Sequence, residues 1–295
     1  MKKAQGIQFN WIFIIVTGAI ILAFFSLFLV RYTDLQQKKA NAEIGVAIDD
    51  TLNALKSDDI YLPLELTNLN IEFSCDDFII NNDFIQDMGD KIVFSEAKLN
   101  GKEISTWVKS WNFPFRVDNF IYLADPKTTY YLVYGSNKEE VEFIKNEIPD
   151  IFNIEVISLS EVNQVKKTNS KFIFFTQPNL DKDFVRINLE NNEVEFEDGS
   201  SFFFEDAMLY GAIFSSNLEN YNCGFEKAVT KLDIISNIYA KKASTLQECN
   251  YNSIIQNLKQ FSDLTKNPSL ELINIKENLI QQNEMLLNNN CKTVF

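Results

Sequence analysis

The chain has 295 residues, 46% hydrophobic and 23% charged, with 26 Phe but only nine Gly and six Pro, which excludes linkers and low-complexity tracts and fits a packed globular protein. A formal charge of −14 repels phosphate backbones and anionic headgroups, so nucleic acid is not expected as a partner. There is no histidine, hence no usual general base near neutral pH, no His-assisted nucleophile and none of the commonest metal ligand; a non-catalytic role is favoured.

Trp11 to Val30, WIFIIVTGAIILAFFSLFLV, carries no charge and would span about 30 Å as a helix, the thickness of a bilayer's hydrocarbon core. The run is longer than the apolar core of a cleaved secretory signal. The letters of a cleavage site, Ala40-Asn41-Ala42, stand too far downstream. Residues 11–30 are therefore expected to stay in the lipid bilayer as a single-pass anchor. Basic residues flank both ends, Lys2 and Lys3 before it and Arg31, Lys38 and Lys39 after it, and nearly balance. The short leading flank and the four cysteines downstream favour an extracytoplasmic C-terminal domain.

Met1-Lys2-Lys3-Ala4-Gln5-Gly6, running straight into the apolar helix, resembles the class III signal peptides of archaeal type IV pilin-like proteins. That resemblance implies processing near Ala4-Gln5 by a prepilin-type peptidase, with the helix retained. Ile7 and Phe9 stand where the family pattern has Ser and Glu. As a whole the chain is similar to uncharacterised archaeal single-pass membrane-anchored proteins.

Ile44, Ile48, Leu52 and Leu55 recur at helical spacing, and only Gly45 interrupts residues 31–57, which are expected to continue the anchor outward as a stalk. Short β segments follow at Ile60–Leu66, Leu69–Ser74, Lys91–Phe94 and Asn119–Leu123. Trp107 and Trp111, four apart, would share a helix face. They read either as a stacking platform for a partner or as core.

Thr129–Tyr134 predicts a strand and Lys138–Ile148 a helix. Ile154–Ile157 and Lys171–Phe175 predict two further strands, a β-α-β unit extended by one strand in parallel. Ligands of such sheets bind beyond the carboxyl ends of the strands. Gly135, Ser136, Asn137, Ser158, Thr176 and Gln177 occupy those ends and form the candidate ligand edge, with Ser136 more simply a helix cap. No Gly-rich phosphate-binding motif is present, and no cofactor is expected.

Val185–Leu189 and Glu193–Glu197 alternate around Asn191-Asn192, and Asp198-Gly199 turns the chain into Ser201–Phe204, an antiparallel meander. The acids Glu190, Glu193, Glu195, Glu197 and Asp198 are first of all a solvated strand face; a carboxylate hydrolase or a Ca²⁺ site is the sharper alternative. The unbroken apolar run Met208–Ser215 predicts a buried strand. Three helices close the chain, at about Cys223–Ala243, Tyr251–Leu264 and Ser269–Asn288.

Four cysteines in an extracytoplasmic chain imply two bridges. A straight helix between Cys223 and Cys249 holds them about 30–36 Å apart, whereas a disulfide needs Cα atoms within about 7 Å. Up-down-up helices bring Cys249 to Cys291, leaving Cys75 for Cys223.

The expected architecture is α/β: an anchor at 1–30, a stalk at 31–57, a mixed-sheet domain at 58–215 and a C-terminal helical region at 216–295 packed on the sheet. The expected role is a non-catalytic surface component that binds a protein partner or associates with itself. A pilin-like filament subunit and a carboxylate-based cell-surface hydrolase are the alternatives.

Overall fold

The computed structural model describes residues 4–54, 61–165, 168–178 and 184–295, with side chains from residue 11 of the first helix and residue 70 of the first strand. The segments expected as anchor and stalk form one unbroken helix, α1 (Ala4–Ala54), about 77 Å long. Its stretch from Trp11 is long and apolar enough to cross a membrane, and none of the apolar window is buried by the rest of the protein. The stalk expected to reach residue 57 is helical through Ala54; its last three residues lie outside the described ones.

Beyond residue 40 one face of α1 docks. Asn41, Gly45, Ile48 and Leu52 recur at i, i+4, i+7 and i+11 and are buried, the spacing of one helical stripe. Gly45 does not break the helix. A Cβ there would sit 2.5 Å from the Phe84 ring, so the glycine lets α1 lie close against the first sheet. Polar pairs fix the register of this contact. Asn41 donates to Asp83 at 3.2 Å and accepts from Asn81 at 2.9 Å, and the Lys91 ammonium meets Asp49 at 2.7 Å.

Residues 61–124 form a six-stranded sheet of β1 (Tyr61–Phe73), β2 (Asp77–Ile80), β3 (Phe84–Asp87), β4 (Ile92–Ser95), β5 (Lys98–Asn112) and β6 (Arg116–Ala124), ordered β3-β2-β1-β5-β6-β4. The two segments expected at 60–66 and 69–74 are one strand, β1, whose pairing with β5 shifts register between Glu65 and Leu69. The Trp107/Trp111 stretch is β5, not a helix. Residues four apart also share a face of a strand, and β5 is held by ladders on both sides.

A second six-stranded sheet follows, so the single mixed sheet expected is two, each mixed. It comprises β7 (Thr129–Tyr134), β8 (Asn153–Ser158), β9 (Ser170–Phe174), β10 (Phe184–Asn188), β11 (Glu193–Phe196) and β12 (Gly199–Phe202), with α2 (Lys138–Glu147) between β7 and β8. Its order is β12-β11-β10-β9-β7-β8, parallel from β8 to β10 and antiparallel beyond.

The stretch expected as a buried strand is helix α3 (Glu205–Phe214), with Ala207 through Phe214 all buried. A helix apolar all round shows no 3.6-residue period, so its pattern is indistinguishable from that of a core strand. The C-terminal layer is α4 (Leu218–Thr245), α5 (Asn252–Leu264) and α6 (Glu271–Asn288). One large core joins the inner face of the first sheet, α3, the helical layer and the inner face of the second sheet. The outer face of the first sheet closes a smaller core with Ile44, Ile48 and Leu52 of α1.

Two disulfides cross this frame. Cys75 joins Cys223 at a Cα separation of 5.4 Å and Cys249 joins Cys291 at 6.0 Å. These are the pairs expected from helix length. Cys223 sits in the second turn of α4 rather than at its start.

Candidate functional site

The strand order of the second sheet places β8 on one side of β7 and β9 on the other. The chain thus reverses direction between β7 and β9, and a crevice opens beyond their carboxyl ends. Gly135 leaves β7 so close to β9 that a Cβ would lie 2.7 Å from Thr176 Oγ1. Asn137 then bridges the crevice: its side-chain oxygen accepts from Gly135 N at 3.2 Å and its amide donates to the Phe175 carbonyl at 3.1 Å. Asn137, not Ser136, is the N-cap residue of α2, and its side chain spans the strands instead of capping. α2 begins at Lys138, where it was expected, and that start puts Asn137 rather than Ser136 in the capping position.

Ser136, Asn137, Thr176 and Gln177 share a cleft of about 700 Å³ with Glu140 and Arg186. Four of the six predicted edge residues therefore line one cleft, and Gly135 packs beside them. Ser158 is engaged elsewhere. Its hydroxyl donates to Glu161 at 2.7 Å and pairs with Ser160, and its N–H also reaches Glu161, whose carboxyl these hydrogen bonds hold below the usual range. The cleft's guanidinium, Arg186, is paired with Glu195 at 2.7 Å, and Glu139 and Glu140 occupy the first turn of α2. This electrostatics disfavours phosphate and suits a neutral polar group.

A second cleft, of about 890 Å³, lies at the opposite, amino end of the parallel strands, where the two sheets meet. Glu96 comes from the first sheet, Asp125 from the intersheet turn, Lys171 and Phe172 from β9, and Glu197 and Asp198 from the last hairpin. At its floor the Lys171 ammonium donates to the Ile213 carbonyl at 2.8 Å and to that of Ser215, at the carboxyl end of α3. A cation there complements the helix dipole. Burial pulls this ammonium down to about 8, opposed by Glu96. Tyr130 donates to Glu96 at 2.9 Å, and burial first, then the Glu96 charge, pushes its phenol well up.

This cleft was not legible in the sequence because its four acids come from three separate stretches, Glu96, Asp125 and the adjacent Glu197 and Asp198. The carboxylate alternative asks for clustered acids in a cleft; of the five acids singled out for it only Glu197 and Asp198 line this one, beside Glu96 and Asp125. Three of them hold the local structure: Glu96 accepts from Tyr130, Asp125 accepts from Lys127 N at 2.9 Å, and Asp198 accepts from Leu218 N at 3.2 Å. The arrangement can hold cationic or hydroxyl-bearing groups. Among the described residues no three potential ligands converge as a metal site. Glu195 serves Arg186, and Glu190 and Glu193 lie at the solvated hairpin.

Trp107 and Trp111 do not form a partner surface. They are 4% and 1% exposed, with the Trp107 ring 4.7 Å from Tyr122 and 5.1 Å from Tyr210, and Trp111 5.2 Å from Phe120. Both point from β5 into the intersheet core, where their area is worth more than on a surface. No family model, curated protein or solved structure matches this chain, so its functional reading rests on its own geometry.

Proposed function

We propose that the protein is a single-pass membrane-anchored component of the cell surface whose extracytoplasmic domain binds or assembles rather than catalyses. The observation that carries this reading is the division of labour along α1. One unbroken helix is bare and apolar from Trp11 and then lies docked on a folded, doubly bridged domain from Asn41 onward. Disulfides persist in oxidising compartments, which supports an outside domain. The docked register argues for rigid display of the domain close to the bilayer. The binding surface proposed is the cleft at the β7–β9 crevice, where Ser136, Asn137, Thr176 and Gln177 present hydrogen-bonding groups.

Labelling of intact cells with a membrane-impermeant thiol reagent, before and after reduction, tests the placement. The expected result is label at Cys75, Cys223, Cys249 and Cys291 only after reduction. Free thiols that become reachable only on lysis would invert the topology and end this reading.

A further inference from the structure

The face of α1 turned away from the domain carries a pattern that the docked stripe does not explain. Outside the apolar span, Tyr32, Leu35 and Val46 are 51%, 64% and 52% exposed. Written as heptads, Tyr32, Lys39 and Val46 fall at a positions and Leu35 and Ala42 at d positions, and the same register runs back through Phe28, Phe25 and Ile21. At 100° per residue this stripe lies roughly 130° around α1 from Asn41, Gly45, Ile48 and Leu52. Along it Tyr32, Leu35, Lys39 and Val46 are exposed and Ala42 is half-buried.

The charges beside the stripe fit one occupant. Lys38 is a g position and Glu43 the e position five residues on, the spacing that pairs across a parallel two-stranded coiled coil. Both are exposed, and among the described residues their ion pairs are loose ones on their own helix, Lys38 with Asp34 at 3.2 Å and Glu43 with Lys39 at 3.6 Å. In a parallel pair each Lys38 faces the other chain's Glu43, twice by symmetry. Lys39 at a core position costs some stability and favours a single register. Inside the bilayer the seam passes through Gly18, which lets backbones approach closely.

We infer that α1, besides anchoring the protein, is the interface of a parallel homodimer, with Tyr32, Leu35 and Val46 at its seam and Lys38–Glu43 pairs across it. This rests on α1 being retained in the membrane, but not on which side the domain lies. All four native cysteines are bridged, so one introduced thiol reports contact in the full-length protein in its own membrane. Mild oxidation of Leu35→Cys and Val46→Cys is expected to give reducible dimers. Gln37→Cys, on the opposite side of the helix, is expected to give at least tenfold less.

Lys38→Glu and Glu43→Lys should each lower the dimerisation constant about two- to fivefold, the effect of two exposed ion pairs. The double exchange should restore it, although it rebuilds neither of the pairs within one helix. Equal cross-linking at positions 35 and 37, or no recovery in the double exchange, overturns the interface. A monomer whose domain is labelled outside also sinks this inference while leaving the proposed placement standing. A dimer whose domain lies inside does the reverse.

Discussion

Lys171 shows how one side chain ties the second sheet to the central helix. Its ammonium holds the last carbonyls of α3 from a floor shared with Glu96, Tyr130 and Asp125. Burial lowers its value to about 8, below that of roughly 10.4 in an unfolded chain. Between those values the unfolded chain binds more protons, so stability rises as pH increases from about 8 to 10, by at most about 3 kcal/mol. Lys171→Met is expected to lose that rise. The check is the difference in melting temperature between variant and wild type across that window. Parallel curves would mean that Lys171 titrates as an exposed lysine.

At the scale of elements, α3 and α4 are set by their glycines. The Phe94 ring lies against both, and a Cβ at Gly211 or Gly224 would come within 2.8 Å or 2.5 Å of it. Gly→Ala inside a helix ordinarily gains about 1 kcal/mol. At Gly224 the overpacking is expected to outweigh this, for a net loss of about 1–3 kcal/mol. Denaturant midpoints of wild type and Gly224→Ala decide it, and a stabilised variant would mean that Phe94 swings clear. The state of α3 itself was not legible in the sequence. Its residues are apolar on every side because core surrounds it: it packs against β4, β5 and β6 of the first sheet, β10 of the second and α4. The hairpin of β10 and β11, by contrast, was legible because one face is buried and the other solvated, with Asn192 in the left-handed region at its turn.

For the whole molecule, the bridges and the stalk decide how the layers hold together. Cys75–Cys223 closes 148 residues and ties the first sheet to the helical layer, whereas Cys249–Cys291 closes 42 within that layer. Loop-closure entropy then makes the longer bridge worth about 1 kcal/mol more. Cys75→Ser/Cys223→Ser is therefore expected to lose more unfolding free energy than Cys249→Ser/Cys291→Ser. The reverse order would show that native contacts dominate at this joint. Lys227 and Lys231 are the contacts in question. They reach the Cys75 carbonyl at 2.7 Å, Asp76 at 3.2 Å and Asp90 at 3.1 Å, and Lys231 also pairs with Asp118.

What the sequence determined by itself was local or covalent. An uncharged run sets a membrane-length helix, and a period of 3.6 marks the docked stripe of α1 and the three closing helices. Turn residues fix the last hairpin, and helix length selects which cysteines can meet. Four residues of the β7–β9 crevice were legible for the same reason, since a β-α-β unit has a fixed hand and its strand ends must converge. Tertiary structure decided everything that depends on partners distant in the chain. It split one expected sheet into two, turned an apolar run into α3, drew Trp107 and Trp111 inside, and gathered Glu96, Asp125, Glu197 and Asp198 around Lys171. Burial on all sides erases periodicity, and contact between distant segments leaves no spacing to read.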